Sequence, residues 1–167
     1  MTEVRKVRTS RKPSRKRWKR LSTLKWVHKI VKVKRITKVV KGGKKLRFGA
    51  LVIVGNESGR VGVGVGKAND VLEAVKKATS DGKRNLIRIS LTKNFSIAHP
   101  ILGQYGASNV IIKPTRAGTG VVAGGSVRIL LETAGIKNIL AKQLGSNNLL
   151  NNARAAIFAL KSLKRVK

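Results

Sequence analysis

From Arg60 to Lys67 valine and glycine alternate without a break, RVGVGVGK. Period two marks an extended strand, so Val61, Val63 and Val65 share one face while Gly62, Gly64 and Gly66 share the other. The valine face can pack into a core. The glycine face presents bare backbone and lets a neighbour come very close. That neighbour is either RNA or another layer of protein, and the second is the ordinary role of glycines in a strand. Upstream lies the apolar run from Leu46 to Val54, and between the two runs stands Gly55-Asn56-Glu57-Ser58-Gly59, a loop of turn formers. Together these make a β-hairpin.

A second hairpin precedes it. Residues 28–40 read HKIVKVKRITKVV, rich in β-branched side chains, and are expected to form a strand. Ile30, Lys32, Lys34, Ile36 and Lys38 are out of simple phase with Val31, Val33 and Arg35, which calls for a bulge, placed near Arg35. Lys41-Gly42-Gly43-Lys44-Lys45 then turns the chain. Its glycines supply positive φ, and lysines crowd its tip. A tip of that composition is costly unless it meets negative charge.

The whole chain supports that demand. Its 167 residues carry 38 Lys and Arg against 6 Asp and Glu, a net charge of +32. A polyanion is the usual partner of such a charge. The charge is polarised: 20 of the first 47 residues are Lys or Arg, and only Glu3 among them is acidic. Residues 1–25 read as a basic extension, expected to be disordered when free and suited to lying along phosphates. A solvated tail or a targeting presequence is the alternative. Apolar residues make up 41% of the chain, enough for a core. No apolar run reaches the roughly 20 residues of a membrane helix, so no membrane partner is expected.

After the hairpins, Asn69 is the expected N-cap of a helix reaching to about Asn85. Asp70 and Glu73 stand in its first turn, and Lys83 and Arg84 come late, as the helix dipole favours. Val71, Val75 and Ala78 make its apolar stripe, and Gly82 is a weak point. The first half is thus β-β-β-α, with the helix expected on the valine face. A second half begins near Leu86, where Ile87, Ile89 and Leu91 alternate as a strand. His99–Gly103 and Asn109–Pro114 suggest another hairpin around Tyr105-Gly106. A glycine-rich loop, Gly118 to Ser126, feeds a helix carrying Val127, Leu130, Leu131 and Ala134, which Gly135 ends. Ile136–Lys142 is the expected next strand, and Ser146-Asn147-Asn148 cap a last helix with Leu149, Ala153, Ile157 and Leu160 on one face.

No catalytic constellation emerges. Gly66-Lys67 stands between a strand and a helix, but the first glycine of a phosphate loop would fall at Val61 and its Ser or Thr at Ala68. The glycines at 118, 120 and 124 miss the dinucleotide fingerprint by one residue. They serve equally as an anion-binding turn at a helix N-terminus or as close packing. His28 and His99 are far apart in sequence, there are no cysteines, and the acids are scattered. No catalytic residue, metal site or cofactor is expected.

Four ordered segments carry a resemblance: Lys34 to Gly43, Gly59 to Ala68, Gly118 to Gly125 and Asn138 to Asn148. Over about residues 26–163 they resemble the ribosomal small-subunit protein five family, and Lys142 to Arg154 resembles its cyanobacterial and plastid branch. The basic leader departs from the usual family start, and Gly82 falls where relatives keep a better helix former. The resemblance implies an α+β chain. A double-stranded-RNA-binding-like β-β-β-α domain (26–89) is followed by a smaller α/β domain (90–167) of two helices on a mixed sheet. It implies a structural role in the small subunit and a part in translational accuracy with ribosomal protein four. The implied partners are small-subunit rRNA, ribosomal proteins four and eight, and mRNA where it enters the subunit. No homo-oligomer is implied. The location implied is the plastid stroma, or else the cytoplasm of a cyanobacterium-like cell. A free RNA chaperone or double-stranded-RNA-binding factor is the alternative function.

The residues expected at the rRNA are Arg35, Thr37, Lys38, Lys41, Gly42, Gly43, Lys44, Lys45, Arg60 and Lys67. Those expected at the protein interface are Gly118, Gly120 and Arg128. Two physical expectations accompany the second group. A side chain at Gly120 would crowd a close backbone approach. Arg128, a cation at the unfavourable end of its helix, points to an external acidic or phosphate partner, with a lone solvated arginine as the ordinary reading.

Overall fold

A computed structural model describes residues 26–163, so the basic extension 1–25 lies outside the described residues. Four strands form the first sheet in the order β1 (Val27–Val40), β2 (Gly43–Gly55), β3 (Arg60–Ala68) and β4 (Ile87–Arg88). All neighbours in it are antiparallel. Helix α1 (Val71–Arg84) connects β3 to β4. The alternation expected through Leu91 yields only the two residues of β4, which close the first sheet rather than open the second.

The second sheet has the order β5-β6-β8-β7, from β5 (Ile101–Tyr105), β6 (Ser108–Pro114), β7 (Val121–Val122) and β8 (Ile139–Gly145). Only β7 runs parallel to its neighbour, because α2 (Gly125–Ala134) carries the chain across between β7 and β8. Helix α3 (Leu149–Lys161) packs on β5 and β6. β8 starts at Ile139 rather than at Ile136. Gly135 ends α2 in the left-handed region, Ile136 N–H returns to the Leu131 carbonyl, and Lys137 N–H donates to the Phe95 carbonyl. Those bonds occupy the backbone that the strand would have used.

The first helix lies on the glycine face, contrary to the expectation of the valine face. Ala74, Ala78 and Gly82 form its buried stripe, and they meet Gly66, Gly64 and Gly62 backbone to backbone. A β-carbon on Gly64 would be driven into the Ala78 carbonyl, and one on Gly66 into the Ala74 carbonyl. Small residues on both sides bring a helix this close. Gly82, read as a weak point of the helix, stands in that contact: a methyl group there would lie 2.9 Å from Val54 Cγ2.

The valines are needed elsewhere. Val61 and Val63 join Leu51 and Ile53 in one core with Val110, Ile112 and Ile139 of the second sheet, Leu130 and Leu131 of α2, and Leu160 of α3. The two halves therefore share one hydrophobic core, and a smaller one (Val52, Val54, Ala74, Ala78) lies under α1. The β2–β3 loop completes the joint. Glu57 and Gly59 donate backbone N–H groups to the Thr133 and Ala134 carbonyls at 3.1 and 2.9 Å, which satisfies the open end of α2.

Two smaller corrections concern ends and phase. The N-cap of α1 is Asp70, not Asn69; its carboxylate accepts the Val71 N–H at 2.7 Å. The bulge in β1 falls between Ile30 and Lys32, at Val31, not near Arg35. Before the bulge Lys29 pairs with Ile53, and after it Lys32 pairs with Leu51. Val31 is the extra residue that keeps Lys29, Lys32 and Lys34 all on the face toward the second half.

Candidate nucleic-acid interface

β1 and β2 outrun their sheet. β3 pairs with β2 only from Phe48 to Gly55, while β1 and β2 continue to pair as far as Val40 and Gly43. Residues 36–47 therefore form a two-stranded arm that reaches roughly 15 Å beyond β3. The pairing Val40↔Gly43 leaves Lys41 and Gly42 as a two-residue tip, with Gly42 at φ 84°. That conformation suits glycine.

The arm has no core of its own. Val39 is 72% exposed and Leu46 50%. Two-stranded ribbons are marginal in water, and exposed apolar residues grouped with cations mark a contact surface. Lys38, Lys41, Lys44, Lys45 and Arg47 all lie on it, and it has no acidic residue. The described acids serve the body instead. Asp70 caps α1, Asp81 accepts the Val65 N–H at 3.0 Å, Glu73 lies 3.8 Å from Lys77, Glu57 sits in the β2–β3 loop, and Glu132 ties α2 to β1.

Register assigns each side chain to a face. Arg35 (with Phe48), Thr37 (with Leu46) and Lys44 (with Val39) lie on the α1 side. Lys38 and Lys45 are paired and lie on the other side, together with Lys34 opposite Gly49 and Arg47 opposite Ile36. Lys67 pairs with that same Gly49 from β3, so Lys34 and Lys67 flank it in one row. Nine of the ten expected RNA residues thus gather on the arm or at its root: Arg35, Thr37, Lys38, Lys41, Gly42, Gly43, Lys44, Lys45 and Lys67. Arg60 does not. It opens β3 at the far end, beside Arg88 of β4. Lys32, Lys34 and Arg47 were missed from the sequence. The period-two spacing of Lys32 and Lys34 with Lys38 was visible, but its face depended on where the bulge fell, and Arg47 joins them only through the pairing of β2 with β1. Gly66 and Lys67 lie inside β3, so no phosphate-binding loop exists there.

Gly118 and Gly120 lie in the loop before β7, and Arg128 lies in the first turns of α2, all outside the arm. Lys29, to which Arg128 is linked through Glu132, stands roughly 35 Å along β1 from the arm tip. Gly118 N–H donates to Asn138 Oδ1 at 2.9 Å, and Asn138 Nδ2 donates to the Asn94 carbonyl at 2.9 Å, so Asn138 fixes the glycine loop from below. A β-carbon on Gly120 would meet nothing within 4 Å. Its requirement for glycine comes from φ 79°, not from crowding. Arg128 has an internal partner: its Nε donates to Glu132 Oε1 at 3.0 Å, and Lys29 Nζ donates to Glu132 Oε2 at 2.9 Å. Lys29 foremost, and Arg128 after it, hold the Glu132 carboxyl below its usual value.

Among the described residues no group of three or more metal-ligating side chains gathers, and no helix is long and apolar enough to cross a membrane.

The family model for the N-terminal domain of ribosomal protein S5 matches residues 26–90, and the model for its C-terminal domain matches residues 103–167. The small ribosomal subunit protein uS5c of Trieres chinensis is 56% identical over 162 residues, 97% of this chain and 87% of the relative. The uS5 protein of Nostoc punctiforme is 58% identical over 156 residues, 93% of this chain and 89% of the relative. The uS5c protein of Guillardia theta is 64% identical over 139 residues, 83% of this chain and 82% of the relative.

Proposed function

Since this chain belongs to the ribosomal protein S5 family of structural small-subunit proteins, we propose that it binds small-subunit rRNA through the arm of β1 and β2. We propose also that it serves translational accuracy, together with ribosomal protein four, through the surface around Gly120 and Arg128. Its relatives come from plastid and cyanobacterial ribosomes; the plastid stroma is the location this reading adopts. Residues 26–89 act as the RNA-facing unit, residues 90–167 as the unit facing proteins four and eight and the incoming mRNA, and the extension 1–25 follows phosphates.

One observation carries the RNA reading. The arm concentrates five cations and no acid on a ribbon whose side chains are mostly exposed. Cations in that setting gain most by releasing counterions from a phosphate backbone. With alanine at Lys38, Lys41, Lys44 and Lys45, the slope of log K against log salt for an rRNA fragment should become shallower by roughly 0.7–0.9 for each phosphate no longer neutralised. The fold should persist, because none of the four belongs to a core. An unchanged slope would mean that the arm does not touch the backbone.

The accuracy reading rests on a joint. Arg128 and Lys29 hold one carboxylate between them and so tie α2 to β1 at the surface. Arg128→Glu removes the Arg128 half of that pairing and reverses the charge offered to a partner, while Lys29 still joins Glu132 of α2 to β1. Small changes at such a surface shift a two-state equilibrium of the subunit. A stop-codon readthrough reporter in cells carrying Arg128→Glu should show raised misreading with normal incorporation into subunits. Normal fidelity at full incorporation would remove this surface from accuracy.

A further inference from the structure

At the root of the arm, where the first sheet meets the start of α3, a cleft of about 250 Å³ opens. We propose that this cleft receives one unstacked ribonucleotide of single-stranded RNA, its base on an apolar floor and its neighbouring phosphates on Lys32, Lys34 and Lys67. The proposal rests on the reading that the arm binds RNA, and it names a different contact.

Leu51, Val65 and Leu149 form the floor, and the three lysines stand round it without a carboxylate among the lining residues. Lys34, Gly49 and Lys67 share one row across three strands, so the two ammonium groups flank a residue with no side chain. A β-carbon at Gly49 would press on Ile36 Cδ1 at 3.0 Å, at the edge of the same cleft. The N-terminus of α3 opens there too, with Asn148 as its cap and no acid in its first turn. It adds positive potential to that of the lysines.

Hydrocarbon under a ring of like charge suits a ligand that is apolar in the middle and anionic at both ends. A nucleotide within a strand is such a unit. A base stacked in a duplex is not, because it cannot leave the helix without unpairing. The size fits as well. Sites for drug-sized ligands run to about 300–1,000 Å³, so this cleft holds a single base. Lys38, Lys45 and Arg47 continue the same face toward the tip, so a strand following the arm arrives at the cleft.

The test uses the full chain and three probes of matched length at fixed salt: oligouridylate, a ribose–phosphate oligomer lacking bases, and an RNA duplex. Oligouridylate should bind about tenfold more tightly than the baseless oligomer, the low end of the scale for one base on an aromatic side chain, because the floor here is aliphatic. Leu149→Arg adds a cation but fills the cleft, so it should raise or keep duplex affinity while reducing that preference to about twofold. Val65→Phe fills the cleft without a charge and should reduce the preference in the same way, which guards against a folding defect in either variant. Equal binding of the two oligomers by the unaltered chain, or a preference that survives both substitutions, overturns the cleft while leaving duplex binding by the arm in place. Failure of the unaltered chain to bind any of the three at low salt would overturn the arm reading and the cleft with it.

Discussion

Gly64 has no room for a methyl group, because the Ala78 carbonyl and the Gly82 backbone occupy the position a β-carbon would take. The obstacle is backbone, which cannot rotate aside, so sheet and helix must separate. Gly64→Ala should cost about 3 kcal/mol, the upper end of overpacking effects. Gly118→Ala, where only φ 93° is unfavourable and the space is open, should cost about 1 kcal/mol. Urea midpoints at constant m compare the two. Equal losses would mean that the glycine face is not tightly closed. The alternation of Val and Gly defined both faces in advance but could not say which one the helix takes. That depended on the small stripe Ala74, Ala78 and Gly82, whereas the apolar stripe through Val71 and Val75 drew the reading toward a bulkier contact. Gly120 teaches the complementary lesson: its glycine was legible, but its cause is φ and not crowding. Arg128 was legible as exposed, and its pairing with Glu132 is a local i,i+4 pattern; the onward link from Glu132 to Lys29 joins residues 103 apart in sequence, beyond any local pattern.

At the scale of elements, the hairpins, the left-handed stop of α2 at Gly135 and the cap of α3 at Asn148 follow from local turn and cap chemistry and could be read directly. The face of β1 could not. A single bulge at Val31 decides where every later lysine points, and nothing in HKIVKVKRITKVV distinguishes Val31 from Arg35 as its position. The joint between β1 and α2 has a consequence in pH. Glu132 has a lowered pKa in the folded chain, through Lys29 first and Arg128 second. The folded state therefore binds that proton more weakly than the unfolded state does. Its contribution is complete above the ordinary glutamate value of about 4.3 and disappears as pH falls through the lower folded value. Both cations are partly exposed, so the effect is modest. Glu132→Gln should lower stability by up to about 1 kcal/mol at neutral pH, and the gap should close on acidification. Denaturant midpoints of the two proteins across that range would show it. A gap that is absent at neutral pH, or that widens in acid, would contradict the role of this ion pair.

For the whole molecule, one core shared by both halves holds the arm at one end of β1 and the Gly120–Arg128 surface toward the other. A rigid body of this kind can grip RNA and a protein neighbour at the same time without either contact depending on the other for its geometry. The charge of +32 is then the complement of a phosphate environment, and five of the cations among the described residues stand on the arm. The decisive measurement replaces residues 36–47 by a two-residue Asn-Gly turn closing Arg35 onto Phe48. It compares that chain with the unaltered one by sedimentation of small subunits through high-salt sucrose gradients. The shortened chain keeps both cores and should fold, which circular dichroism and a thermal melt would verify. The unaltered chain should remain with the subunit peak while the shortened one is released to the top of the gradient; equal retention of the two would contradict the claim that the arm is the principal hold on rRNA.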